Sequence, residues 1–400
     1  MTKHGILDKA DIALDVAILL VAGLMMLIAG VLLFPVSRGV IPYYENGLYG
    51  LLLFIFALQT AMLGRTPFGD RARSRGLLVA GTVIASVGIV TCFIPGALAH
   101  VPRILVFVCF GPGGLALLLQ MLLAEDKLRS WVRYGGIVGR LALACGSVYA
   151  LSILVGALVW RHSSLATHAA AIVVLLYGLS IIYLAVVLQR IYRRYPQATG
   201  SFDGDSNLAP DKVMILMTGF FMLILGVLLV PVNLGILPFS ASAQLGLLAI
   251  IHAIQMIAFG STPIGAFPRS WLLVLLGSVF AALGITSCIV PGVLVPCLTL
   301  IVATLNILGG IIGVRKACAP LLRKSEQPGE PLPGILVSLF RTQLTMNLLS
   351  ILFGASMLVS GIIPALAIGV ILAANGCLLL FLLRILVTLE RMQRNVETAA

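Results

Sequence analysis

Few side chains in this sequence could do chemistry, and most of those are uncharged. All fourteen Asp and Glu residues lie outside the cores of its long apolar segments, with Asp15 the nearest, close to the start of the first. Carriers coupled to protons or ions usually keep an acid or another buried charge at mid-membrane, and none is present there. There is no HExxH, no Walker glycine loop, no GxSxG and no kinase set. Nor is there a Ser/His/Asp or Cys/His grouping, or a pair of carboxylates within an apolar segment. Intramembrane catalysis needs ionisable groups, so the reading is non-enzymatic, with no catalytic residue. The seven cysteines show no CxxC and no metal-ligand spacing, so neither a metal nor another cofactor is expected.

Neutral polar groups remain. Gln59 and Gln255 occupy matching positions in two apolar segments. A carboxamide surrounded by hydrocarbon needs partners, so each should face the protein interior. His252 stands three residues before Gln255 and so shares its helix face. Gln120, Asn306, Asn347 and Asn375 add further amides. Interhelical hydrogen bonding, at about 0.6–2 kcal/mol each, explains such residues most simply. The alternative is that they line a polar path. His100, His162 and His168 fall in loops on one side, where they would charge below pH ~6.5 and sense acid; solvated loop histidines are the plainer reading. Cys92 and Cys288 also match in position. Packing as small apolar residues is the simpler account, and a thiol pair open to oxidation is the other.

These residues match because the chain repeats itself. Gly23 to Gly114, shifted by 196 positions, aligns on Gly219 to Gly310 without a gap, with 37 identities in 92 positions. GLMMLIAGVLLFPV (23–36) returns as GFFMLILGVLLVPV (219–232), and the turn 64–69 returns at 260–265. Composition alone would not align Pro, Gly, Gln and Cys at one offset, so the chain is a duplication. The units are 1–195 and 213–400, joined by a polar linker at 196–212.

With 60% apolar and 10% charged residues, too little polar surface exists to face water, which implies a polytopic all-α membrane protein. About twelve spans are expected, near 14–34, 47–63, 76–95, 104–124, 137–160, 169–189, 213–231, 243–260, 271–291, 294–314, 335–360 and 365–388. The first is too long for a signal h-region, so no cleavable leader is expected. Alternate loops divide the 26 Lys and Arg as 23 on the side of both termini and three, Arg38, Arg103 and Arg161, on the other. The positive-inside rule then puts both termini in the cytoplasm of a multi-pass protein of the inner membrane. The basic residues lack interleaved aromatics, which argues against nucleic acid. Partners are the lipid bilayer and, beyond it, other membrane proteins or a second copy. Six spans per unit is even, so the units should be parallel, about an axis along the membrane normal.

Spans are expected to pair as successive hairpins, 1 with 2, 3 with 4 and 5 with 6. Glycines seven apart mark the first helix of five of the six: Gly23/Gly30, Gly81/Gly88, Gly219/Gly226, Gly277/Gly284 and Gly354/Gly361, each with a proline soon after. Seven residues are two turns, so both glycines share a face on which a neighbour can approach closely. The proline should close the helix at the membrane edge. This pattern, carried by GLMMLIAGVLLFPV and GTVIASVGIVTCFIPG, resembles the HdeD-like acid-resistance membrane proteins. The resemblance implies two six-span units fused and a non-enzymatic role in stress or acid tolerance, and it transfers no catalytic motif. A 6+6 transporter for a neutral or lipophilic solute is the second functional reading. A membrane-embedded subunit of a larger complex is the third.

Overall fold

The computed structural model describes residues 8–70, 73–123, 135–161, 167–196, 208–323, 334–359 and 364–399. Among the described residues twelve helices are long and apolar enough to cross a membrane, α2 and α8 together with the π-turns that extend them: α1 (Leu14–Ser37), α2 (Glu45–Leu58), α3 (Arg75–Phe93), α4 (Val101–Leu123), α5 (Gly136–Arg161), α6 (His168–Arg194), α7 (Pro210–Asn233), α8 (Ala241–Ile254), α9 (Trp271–Ile289), α10 (Val295–Arg323), α11 (Gly334–Leu358) and α12 (Ala365–Ala399). The protein is therefore an all-α polytopic membrane protein. Each of α2 and α8 continues through one turn of π-helix, Gln59–Leu63 and Gln255–Phe259. Each π-turn stops at a left-handed glycine, Gly64 or Gly260, and leads into a two-residue β-ribbon.

Two compact units form. The first holds Met1–Asn207 with Phe239–Gly260 and Pro268–Val295; the second holds Leu208–Pro238, Ser261–Phe267 and Pro296–Ala400. This division differs from the repeat boundary in the sequence, because α8 and α9 belong to the first unit.

Within the first unit the tight helix pairs are α1 with α6, α2 with α3, and α4 with α5. Spans 1 and 2, and spans 3 and 4, hardly touch, whereas α5 and α6 pack on each other as the expected hairpin of spans 5–6. The glycines explain the difference. A Cβ at Gly30 would lie 2.6 Å from the Leu175 backbone nitrogen, and one at Gly178 would lie 2.4 Å from that of Leu27. So α1 closes on α6, the last helix of its repeat. Gly88 meets Gly50 on α2, Gly81 meets Ala57 and Ala61, and Gly156 meets Gly111 on α4. A glycine face brings backbones together, but i,i+7 spacing does not say which backbone. In the second unit the same geometry joins α7 to α12, where Gly219 and Gly226 face Leu380 and Ala373, and α11 to α10, where Gly354 faces Ala303. Gly277 and Gly284 of α9 face Ala253 and Gly246 of α8, both in the first unit. Gly361 lies outside the described residues.

The expected role of proline as a helix stop needs correction at α1 and α7. Pro35 and Pro231 sit inside the last turn. The helix ends two to three residues later in a Schellman motif, with Val40 N–H donating to Pro35 O and Gly39 N–H to Val36 O. Ile236 and Gly235 repeat both bonds on Pro231 and Val232. Gly39 has φ +71° and a Cβ there would meet nothing within 4 Å, so its requirement is purely conformational. Gly39→Ala is expected to destabilise by about 1 kcal/mol, through left-handed strain alone. Denaturation in detergent micelles measures it, and a neutral result would show that the cap is dispensable.

Four helix ends meet in the first unit. Tyr44 N–H, before α2, donates to Ile289 O at the end of α9, and Ser240 N–H, before α8, donates to Phe93 O at the end of α3, both at 2.9 Å. Residues 44 and 240 differ by 196, as do 93 and 289, so the contact is reciprocal. The Tyr44 hydroxyl also donates to Cys92 O at 3.0 Å, which places all four ends on one face. The α2–α3 and α8–α9 hairpins thus run the same way.

Candidate functional site

A cavity of about 360 Å³ lies within the first unit, among α1, α2, α4, α5 and α6. Its middle wall is apolar and aromatic. Met25 and Met26 come from α1, Leu52 and Phe56 from α2, Phe110 from α4 and Tyr177 from α6. Phe110 stands edge-on to Phe56 at 5.1 Å and to Tyr177 at 5.6 Å, which fixes both rings. The Ser152 hydroxyl donates to Phe110 O at 2.9 Å.

The end of the cavity near the start of α1 is polar. Gln59, the first residue of the π-turn, lines it together with Arg65 and Thr66 of the β-ribbon. The Gln59 carboxamide makes no hydrogen bond within the protein among the described residues, whereas Thr66 donates to Gly69 O. A π-turn inserts one residue into the helix and re-aims the side chains that follow, which is why such turns recur at functional sites. Arg65 pairs with Asp15 of α1 at 3.2 Å, and Asp15 is only 2% exposed. Tyr192 of α6 donates to the same Asp15 oxygen. This triad closes three helix ends around the mouth. Sequence reasoning placed Asp15 near the first span and did not single out Arg65 or Tyr192. The only available signal was an acid at the second position of an apolar helix.

The other expected site residues fall elsewhere. Gln120 is exposed and donates to Phe68 O at 2.7 Å, bracing the β-ribbon turn. His252 donates through Nδ1 to Leu248 O at 2.8 Å, one turn back on its own helix. Gln255 begins the second π-turn. In the second unit the Ser350 hydroxyl donates to the side-chain and backbone oxygens of Asn306. Asn347 lies against Gly313 and borders a cleft of about 310 Å³ with Lys316 and Gln343. Asn375 has a buried side-chain oxygen without a hydrogen bond among the described residues. Among these amides only Gln59 lines the large cavity. His100 and His168 are exposed, with the His168 ring edge-on to Phe34 at 6.4 Å, and His162 lies outside the described residues. Among the described residues no cluster of three His, Cys, Asp or Glu could hold a metal ion.

No protein-family model, curated protein or solved structure matches the chain.

Proposed function

We propose that this chain is a non-enzymatic multi-pass membrane protein whose first repeat takes up a lipophilic solute with a polar end. One observation carries the reading: the large apolar cavity ends at a glutamine amide that has no hydrogen-bond partner among the described residues. Gln59 is half-buried, and an amide facing an apolar cavity without a partner is disfavoured, so a polar group on a bound solute would satisfy it. The volume falls in the range of small-molecule pockets, roughly 300–1,000 Å³. The Asp15–Arg65 pair is internally neutral and sets the polar end without demanding a charged ligand. This favours transport or binding of a neutral lipophilic solute over a purely structural subunit. The HdeD-like resemblance enters as the non-enzymatic membrane role that it implies, in stress or acid tolerance. Both termini face the cytoplasm in this reading, on the 23-to-3 division of basic residues, which puts the polar end of the cavity on the cytoplasmic side of an inner membrane.

Replacing Gln59 by Leu tests it. A fluorescent long-chain alcohol in detergent micelles should bind about tenfold more weakly to the variant, since one neutral hydrogen bond is worth about 1 kcal/mol or a little more. The matching alkane probe should bind equally to both proteins. Equal affinity of the alcohol for both would remove the assigned role of Gln59.

A further inference from the structure

The two repeats match in sequence, yet they line the same place with different chemistry. LSILVG (151–156) of α5 returns as LSILFG (349–354) of α11, a shift of 198, and α4 returns in α10 at the shift of 196. In the first repeat Leu117, Cys145, Val148 and Tyr149 line the large cavity. Their counterparts are Gly313, Gln343, Met346 and Asn347. All four line the cleft of about 310 Å³ between α10 and α11, together with Lys316 and Ala317. The cleft is thus the second repeat's version of part of that cavity, made more polar. Glycine in place of Leu117 makes room for an amide: a Cβ at Gly313 would lie 2.3 Å from Asn347 Oδ1. Lys316 stands where the first repeat has Gln120. Gln120 donates to Phe68 O, and its Oε1 would lie 2.8 Å from a Cβ at Gly69. Lys316 Nζ keeps the same place over the second ribbon, 3.1 Å from a Cβ at the matching Gly265. An amide that braces a turn has become a cation, and among the described residues no carboxylate pairs with it.

We propose that the α10–α11 cleft binds an anionic phospholipid by its headgroup phosphate. Lys316 supplies the positive charge, and the carboxamides of Gln343 and Asn347 supply donors for phosphate or glycerol oxygens. Lys316 and Gln343 are exposed, so a ligand reaches both, and Asn347 is half-buried behind them. Met346 and Ala317 give the same cleft an apolar wall for the start of an acyl chain. A free phosphate would gain nothing from that wall, and a neutral solute would gain nothing from Lys316. The bilayer has access, because only 6% of the α11 span is buried within the protein. Lys316 stands two turns before the end of α10, on the side that carries 23 of the 26 basic residues. The choice of leaflet rests on the reading that both termini are cytoplasmic. It puts the cleft at the membrane surface whose anionic headgroups attract Lys and Arg. The binding itself does not depend on that orientation.

The test uses the full chain in a neutral detergent, with dioctanoyl phosphatidylglycerol and dioctanoyl phosphatidylcholine as probes and native mass spectrometry as the readout. The anionic lipid should bind saturably and about fivefold more tightly than the zwitterionic one, the effect of one basic side chain at an anionic headgroup. Lys316→Gln, which installs the first repeat's residue, should abolish that preference, and Lys316→Arg should keep it. Lys316→Gln should leave binding of the long-chain alcohol unchanged, so a failure of this site is read apart from a failure of the first-repeat cavity. Excess inorganic phosphate should leave the lipid bound. With the unaltered chain, a phosphatidylglycerol bearing a diazirine near its headgroup should label the peptides that hold Ala317 and Met346, a readout that needs no variant. Equal affinity for the two lipids, or a preference that survives Lys316→Gln, would overturn the proposal. Displacement of the lipid by inorganic phosphate would assign the cleft to a free anion and overturn it too. So would labelling that misses both peptides.

Discussion

Gly30→Leu is expected to prevent the chain from accumulating as folded protein. A Cβ at Gly30 would lie 2.6–2.7 Å from three atoms of Leu175, two of them backbone. A backbone cannot turn aside as a side chain can, so α1 and α6 must separate along this stretch. Forced overpacking costs about 1–3 kcal/mol when side chains can yield, and more when they cannot. The loss here should reach about 3 kcal/mol or more, a large fraction of a typical net stability of about 5–15 kcal/mol. Opening the α1–α6 pair would also break the ring of helices around the cavity, so ligand binding should fall with stability. Gly76→Leu provides the control. Gly76 is exposed in the first turn of α3, and a Cβ there meets only the Ser74 hydroxyl at 3.8 Å. That variant should be neutral or slightly stabilised, because Leu is the better helix former. Size-exclusion profiles in mild detergent would separate the two outcomes. Equal, well-folded behaviour of both variants would mean that α1 and α6 do not pack as described.

Asp15→Ala should destabilise by about 3 kcal/mol, the low end for breaking a buried ion pair. The low end applies because Arg65 is 27% exposed and water can reach it. Tyr192→Phe should cost less, since it removes one hydrogen bond to a charged group, worth about 1.5–3 kcal/mol. Asp15→Ala combined with Arg65→Ala should be less damaging than the sum of the two single changes, because the double variant leaves neither charge behind. Chemical denaturation of the four proteins in one detergent gives the cycle. Strict additivity would show that Asp15 and Arg65 are not coupled, and the description of the cavity mouth would fail with it.

The sequence made the spans legible because hydrocarbon demands long apolar helices. The twelve helices follow the expected segments to within a few residues, apart from charged extensions such as the end of α12. Matching residues in the two copies were equally plain, and they recur as matching contacts: Gly30 on Leu175 beside Gly226 on Ala373, or Ser152 on Phe110 beside Ser350 on Asn306. Helix partners were not legible. Gly23 and Gly30 mark a face for close approach, yet nothing in their spacing distinguishes α2 from α6. The stop of α1 was assigned to Pro35, the more conspicuous residue, when Gly39 supplies the left-handed turn. The π-turns at Gln59 and Gln255 carry no local signature, since one inserted residue leaves apolar periodicity nearly intact. The Asp15–Arg65–Tyr192 triad joins residues up to 177 positions apart, and only the folded bundle brings them together. Gln59 was recognised as an interior amide, but whether it met a neighbour or a cavity depended on how five helices enclose space.

The central claim is that a lipophilic solute occupies the first-repeat cavity. Photolabelling with a diazirine-bearing long-chain alcohol, followed by peptide mapping, tests it most directly. The account predicts saturable labelling on Met25, Met26, Cys109, Leu117 and Val148, all of which line the cavity, and its loss in a Val148→Trp variant that fills the space. Labelling confined to outward residues of the same helices, such as Leu143, 67% exposed, and Leu154, 50% exposed, and unchanged by Val148→Trp, would contradict it.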